Sequence, residues 1–409
     1  MHSKVARPAM RSMMASRCCL ARRVTQLQSG EASANSLRLA QVAPLYVGFA
    51  ATGVGVALPG AVLPALAAQW HMNDATSGRL FLMAWMGSSV GALLVHGSLR
   101  RTLGLACIAC AVAAIALTWT SGHFAWAWML LYGCGLGAAM TAISLIRQVQ
   151  ATDVASEFVR LNLVWAVGAL LAPSLAATAL AGGNAEHVFL ALGAVFALLA
   201  LWSLSIPKTL SVRAEKGGEA PPWAVFRNVP AGLIVMVALA TGIEASAGGW
   251  LATYARRGGH HLAETIAAPT CLWAGLLLSR LVWSLWVRRQ RPSDVLRASV
   301  ALMAASAVLL LATGNAGVML LAAFGLGFGL GPTYPLLLAW ALRFQRGGAI
   351  FFLAGVGSSS LPWLTGVLSS AHGSLRFGLG VPCAGALSML VLAWMLPLRQ
   401  WRMDEDAPG

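Results

Sequence analysis

Runs of about 20 consecutive apolar residues recur along this chain, and each is long enough to cross the hydrocarbon core of a bilayer as a helix. Few soluble folds survive that pattern. Inside lipid the backbone must satisfy its own hydrogen bonds, so runs of this length and number read as packed transmembrane helices. Of the 409 residues, 58% are hydrophobic and only 10% charged, which removes the soluble globular classes. About twelve spans are expected, from one near 43–67, through a second near 78–99, to a last near 376–397. The fold class expected is an all-α polytopic membrane protein.

The net charge of +15 would suggest nucleic acid in a soluble protein. Here the distribution of Lys and Arg accounts for it. If residues 1–41 are cytosolic, one side of the membrane receives the basic tail, Arg100, Arg101, Arg147, Arg160, Lys208, Arg213, Arg288, Arg289, Arg343 and Arg399. The other receives only Arg79, Arg256, Arg257 and Arg376, which satisfies the positive-inside rule with both termini cytosolic. The expected setting is the inner (cytoplasmic) membrane, with the lipid bilayer as partner and no nucleic acid. Residues 1–41 resemble a transit peptide in composition yet lack an apolar stretch followed by a cleavage site, so they read as a disordered tail outside the fold.

The longest polar interruption, 207–229, contains Lys208, Arg213, Lys216, Gly217, Gly218, Pro221 and Pro222. It reads as a cytosolic linker between an N-terminal bundle of six helices at 42–206 and a C-terminal one at 230–398, followed by a cytosolic tail at 399–409. An internal repeat supports the division. Trp85-x-Gly87 precedes Arg100-Arg101 at the spacing by which Trp273-x-Gly275 precedes Arg288-Arg289. Gly168 and Pro173 in the fifth span match Gly357 and Pro362 in the eleventh. The glycines at 133, 135 and 137 parallel the glycine series at 325–331. A parallel repeat of this kind places a solute site near the midplane, between the halves.

Seven cysteines, scattered over separate apolar runs and the basic tail, make no disulfide framework. Cys107-x-x-Cys110 has no second pair of Cys or His beside it, so packing is favoured over metal, and no metal or other cofactor is expected. Among the acidic residues, Glu244 alone falls well inside an expected span. An intramembrane carboxylate is costly and marks a functional group by default. A desolvated carboxylate can also exchange a proton near neutral pH, which coupling to a gradient requires. The competing reading is a neutral Glu244, or one paired to Arg280, that only fixes helix packing.

Trp250 and Tyr254 follow Glu244 at spacings that share or flank its helical face. Of the sixteen tryptophans, Trp119, Trp126, Trp128, Trp223, Trp394 and Trp401 lie near span ends, where an interfacial belt explains them. Trp85, Trp165, Trp273, Trp340 and Trp363 lie deeper. An indole offers a flat apolar face and one N–H donor, which suits sugars and other cyclic amphipathic solutes. Trp85 and Trp273 occupy equivalent places in the repeat and become candidate cavity walls with Asn162 and Trp165; helix packing is the alternative for each. Arg280, Arg147 and Arg160 are assigned gating or structural charge, the last two beside Asp153 and Glu157. His96 is expected inside the second span, near its inner end.

Several motifs in shared order carry a family resemblance. Gly242-x-Glu244 with Gly249-Trp250-x-x-x-Tyr254, Trp273-Ala-Gly275 with Ser279-Arg280-Leu281, and Arg160-Leu-Asn162-Leu with Gly168 and Pro173 form one set. Gly331-Pro332-x-x-Pro335 and Leu361-Pro362-x-x-x-Gly366 complete it. With the six-plus-six plan, the chain resembles the major facilitator superfamily and, more narrowly, its fucose permease and sugar–proton symporter branch. The resemblance implies alternating access, with two bundles rocking about a central cavity. One departure stands out: the resembling carriers hold acids in the first and fourth spans, where this chain has Gly60 and only small or apolar residues at 137–141. Glu244 is then the one remaining carboxylate for coupling.

The sequence carries no P-loop, metal cluster or partnered nucleophile, so no enzymatic activity is expected. The function expected is secondary active transport of a small polar organic solute, a sugar first, as symport with a proton or another cation by a monomer. Drug or metabolite efflux by antiport is the alternative, and a non-transporting sensor or scaffold on the same fold the second. Import raises the internal level of a solute in whole cells and efflux lowers it, which separates the first two.

Overall fold

The computed structural model describes residues 42–120, 122, 124–150, 154–182, 186–206, 213–214, 225–286, 291–344 and 348–396. The tails at 1–41 and 399–409, and all of the 207–229 linker except residues 213–214 and 225–229, lie outside them. The chain divides into two units between Tyr46 and Val47. The described part of the first, 42–46, opens helix α1 (Val42–Gln69); the rest of the fold belongs to the second.

Helices account for nearly all of that second unit, as the apolar runs require. After α1 come α2 (Asp74–Leu93), α3 (Leu99–Trp119), α4 (Ala125–Gln150), α5 (Val154–Gly182) and α6 (Glu186–Ser203). The second half holds a short α7 (Val225–Asn228), then α8 (Ala231–Arg257), α9 (Leu262–Trp286), α10 (Pro292–Ala312), α11 (Ala316–Phe344) and α12 (Gly348–His372). The last span is interrupted, as α13 (Leu375–Gly378) and α14 (Gly380–Met395). Among the described residues, 10 helices are long and apolar enough to cross a membrane. The apolar helix of the sixth span, His187–Ser203, is shorter than those, and α2 is less apolar.

The reason for the polarity of α2 is its position. It packs on α4 in its own bundle and on α12 in the other, so it is shielded from lipid on two sides. It also starts earlier than the hydropathy suggests, at Asp74 rather than near 78, because Asn73 caps it by accepting a hydrogen bond from the Thr76 N–H at 2.8 Å. Its far end comes earlier too. His96 therefore lies beyond the helix, in the connection to α3, with Nδ1 2.6 Å from the Leu94 carbonyl oxygen, which corrects the expected intramembrane placement.

The internal repeat is a repeat of contacts. Gly87 of α2 lies so close to the Leu130 carbonyl of α4 that a side chain there would collide with it, and Gly275 of α9 stands likewise against Phe324 of α11. Gly133 meets Ala84 as Gly327 meets Leu272, and Gly168 meets Ala50 as Gly357 meets Ala238. These are the places where helix backbones approach closely, which small residues permit in membranes. The outcome is two six-helix bundles of like internal packing.

The bundles meet along several helix pairs. The α2 and α12 helices pack together, as do α5 and α9, while α1 meets α8 where Gly60 lies on the backbone of Gly248 and Gly249. A Cβ at Gly60 would overlap the Gly248 carbonyl. Position 60, which carries an acid in the resembling carriers, therefore has no room for any side chain here. At the far end of the bundles, β1 (Gly97–Ser98) pairs antiparallel with β2 (Arg213–Ala214) and ties the α2–α3 connection to the linker.

Candidate functional site

Near the middle of α8, α9, α5 and α11 four helices bring polar and aromatic groups together. Glu244 projects from α8, and Trp273 and Arg280, two helical turns apart on α9, lie on one face of that helix. The Arg280 Nη2 stands 3.9 Å from Glu244 Oε2, with side-chain exposures of 8% and 17%. That distance brings the charges into electrostatic contact but exceeds a hydrogen bond. On its other side the guanidinium lies over the Trp165 ring of α5, Cζ 5.5 Å from the centroid. Its Nε reaches the Gly331 carbonyl of α11 at 3.5 Å.

Trp165 and Trp273 touch edge to face, centroids 5.8 Å apart at 78°. They belong to opposite bundles. Gly248 of α8 makes room for Trp273, since a Cβ there would fall 2.7 Å from the indole edge. The hydrogen-bond inventory is one-sided. Trp165 Nε1, Trp273 Nε1 and Arg280 Nη1 are buried donors with no partner, and the neighbouring Ser279 hydroxyl is unpaired as well. Each such group costs about 1–3 kcal/mol left unsatisfied, so a cluster of them calls for a ligand with acceptors.

A second constellation lies at one end of the bundles. Arg257, in the last turn of α8, forks onto Asp74 at the start of α2, with Nη1–Oδ2 and Nη2–Oδ1 both 2.6 Å. The Ser369 hydroxyl of α12 donates to the same carboxylate at 2.5 Å, and the Ala75 N–H donates to Ser370 Oγ at 2.8 Å. Just below, Leu63, Phe81, Trp250, Leu375 and Leu379 form a buried apolar plug, with Trp85 and Tyr254 packed against it. Trp250 meets Phe81 edge-on at 5.7 Å and donates its Nε1–H to the Pro362 carbonyl at 2.9 Å. Tyr254 donates to the Leu310 carbonyl at 3.2 Å. Asp74 and Arg257 were not singled out from sequence; the Asn73 cap signal with an acid in the first turn could have found the first.

At the opposite end, Arg147 of α4 holds Glu157 of α5 at 2.7 Å and Gln150 at 2.7 Å, while exposed Arg160 stands 3.8 Å from the same carboxylate. Asn162 is occupied within its own helix, donating to the Phe158 carbonyl at 2.9 Å. The structure thus joins Glu244, Arg280, Trp165 and Trp273 in one place. It puts Trp85, Trp250 and Tyr254 at the plug, and Arg147 with Arg160 at the far end. Trp363 lies inside α12 with its side chain exposed, and Trp119, Trp126 and Trp394 at span ends are exposed in keeping with a belt. The five described cysteines are free, and among the described residues no group of His, Cys, Asp or Glu could hold a metal ion.

Among solved structures, the nucleoside transporter NupG superposes in a mutant form with a TM-score of 0.69 at 12% identity, over 87% of this chain and 98% of that one. A bacterial homologue of the human lysosomal transporter Spinster, in an inward-facing and occupied conformation, superposes with a TM-score of 0.67 at 14% identity, over 91% and 99%. Identities this low speak for the fold alone. No curated protein matches the sequence significantly. The family model of the Major Facilitator Superfamily matches residues 45–359, most of the chain, and this protein belongs to that superfamily.

Proposed function

We propose that this protein is a secondary active transporter that moves a small polar organic solute, a sugar or sugar-like ring first among them, by alternating access with proton coupling. The observation that carries the reading is the set of unpartnered donors on Trp165, Trp273 and Arg280 beside Glu244. Two indole faces and three N–H donors suit a hydroxylated ring, whose C–H faces stack and whose oxygens accept. Because the two indoles sit on opposite bundles, rocking of one bundle against the other opens and closes the space between them. A nucleoside, the solute named for the structural neighbour NupG, also carries a sugar ring.

By the positive-inside rule, the Arg147 end faces the cytosol of an inner membrane, and the Asp74–Arg257 end is a seal against the outside. Glu244, in contact with Arg280 and only partly shielded, is the group that exchanges the coupling proton. The test is uptake of labelled sugars into proteoliposomes with an imposed pH gradient. Glu244→Gln is expected to abolish gradient-driven accumulation; undiminished proton-coupled uptake by that variant removes Glu244 from the mechanism. Depletion of the solute from intact cells, rather than accumulation, would turn the reading to efflux.

A further inference from the structure

We infer that the solute carries a carboxylate, which binds Arg280 in the place Glu244 now holds loosely; this rests on reading the Glu244–Arg280–Trp165–Trp273 cluster as the solute site. The unpartnered groups of the cluster are donors at three points, and Arg280 spends its five N–H groups on one 3.5 Å contact and one 3.9 Å ion pair. A guanidinium so placed has its fork free, and a carboxylate is the group that fills a fork with two parallel hydrogen bonds. A hydroxyl oxygen also accepts, but it brings no charge to match the guanidinium and no second oxygen in the plane of the fork.

Charge balance then assigns a role to Glu244. The groups that act electrostatically on it are Arg280 of α9 and Tyr334 of α11. The other helices against α8 present Gly357 and Leu361 from α12, Gly385 from α14 and Gly60 from α1. Among the described residues, Arg280 is the one cation in contact with Glu244. A solute carboxylate arriving beside an ionised Glu244 would place two negative charges on one guanidinium. Uptake of one proton by Glu244 from the facing aqueous side removes the conflict and leaves the occupied site with the same net charge as the empty one. Acid and proton then bind together, which is symport. A hydroxylated carboxylate, a sugar acid in chemical class, meets both this requirement and the two indole faces.

The experiment compares matched pairs on the purified full-length protein by thermal shift and by binding isotherm: glucuronate with glucose, gluconate with sorbitol, and quinate with inositol. At least one acid should bind roughly ten- to a hundredfold more tightly than its neutral partner, the difference a charge-assisted pair makes. Its affinity should rise about tenfold for each unit that pH falls while Glu244 is ionised in the empty protein. Glu244→Gln should keep acid binding, at least as tight, and lose the pH dependence. Arg280→Gln should lose acid binding; because that variant leaves Glu244 without its cation, the double variant E244Q/R280Q, which carries neither charge, is measured beside it.

A panel in which no acid exceeds its neutral partner overturns the inference. So does acid binding that survives in the double variant, or falls equally in Glu244→Gln and Arg280→Gln. If neutral sugars bind and Trp165→Phe or Trp273→Phe weakens them, the site reading stands and only the carboxylate falls. If no solute responds to any of these substitutions, the site reading itself fails.

Discussion

Arg257 and Asp74, 183 residues apart, close one end of the molecule with two parallel hydrogen bonds of 2.6 Å between the end of α8 and the start of α2. The pair crosses from one bundle to the other. Asp74 is nearly buried and also receives Ser369, whereas the Arg257 side chain is 45% exposed. In the proposed alternating-access cycle it acts as a latch on this end.

Breaking the latch should shift the molecule toward the state open at this end. Asp74→Asn and Arg257→Gln are each expected to raise the labelling rate of a cysteine introduced at Phe81 by about two- to tenfold, an effect limited by the exposure of Arg257. The charge swap D74R/R257D should recover part of the protection. Equal labelling in all four proteins would show that the apolar plug alone makes the seal.

Gly60 sets a steric limit on the same closure. Gly60→Ala should cost about 1–3 kcal/mol by forcing α1 away from Gly248, measured as a lower melting temperature in detergent and a loss of transport. Gly60→Asp, which restores the acid of the resembling carriers, should be worse than Gly60→Ala. Full activity in Gly60→Asp would mean that the helices part at this crossing at little cost.

The tryptophans divide into plug and site, and the two groups should respond differently. Trp250→Phe removes the hydrogen bond to the Pro362 carbonyl and should lower stability by about 1 kcal/mol with unchanged solute affinity. Trp273→Phe removes a donor that has no hydrogen-bond partner within the protein, so stability should hold or rise while solute affinity falls. Thermal melts with and without bound solute read both quantities.

At the far end, two arginines stand beside one carboxylate with unequal burial. Removing Glu157 with Ala should cost about 3–5 kcal/mol, since it takes a carboxylate at 2.7 Å away from buried Arg147. Arg160→Ala, whose side chain is 68% exposed, should cost less than about 1 kcal/mol. A comparison of unfolding midpoints checks the ratio.

Much of this arrangement was legible in the residues, and the misses have specific causes. Most helix boundaries lie within a few residues of the hydropathy runs, but α2 begins at Asp74 because a shielded interface helix need not be apolar all round. The earlier end of the same helix leaves His96 in the connection to α3. Glu244 and Arg280 stood out because charge inside an apolar run is rare. Asp74 did not, because at a span end an acid looks like any solvated residue until a neighbour encloses it. Trp85 and Trp273 hold equivalent places in the repeat, yet one packs at the plug and the other meets Trp165, since the two bundles present different partners to equivalent positions.

The order of the residues alone dictates a bundle of membrane-crossing helices in two related halves. Hydropathy and glycine spacing are local properties, and the requirement for internally satisfied backbone in lipid leaves helices as the outcome. Which side chains meet is a matter of how the helices pack: Arg257 with Asp74, Arg280 with Glu244 and Trp165, and Gly60 with the backbone of α8. Those contacts join helices distant in the chain, so they depend on crossing angles and rotations to which no single helix commits its residues.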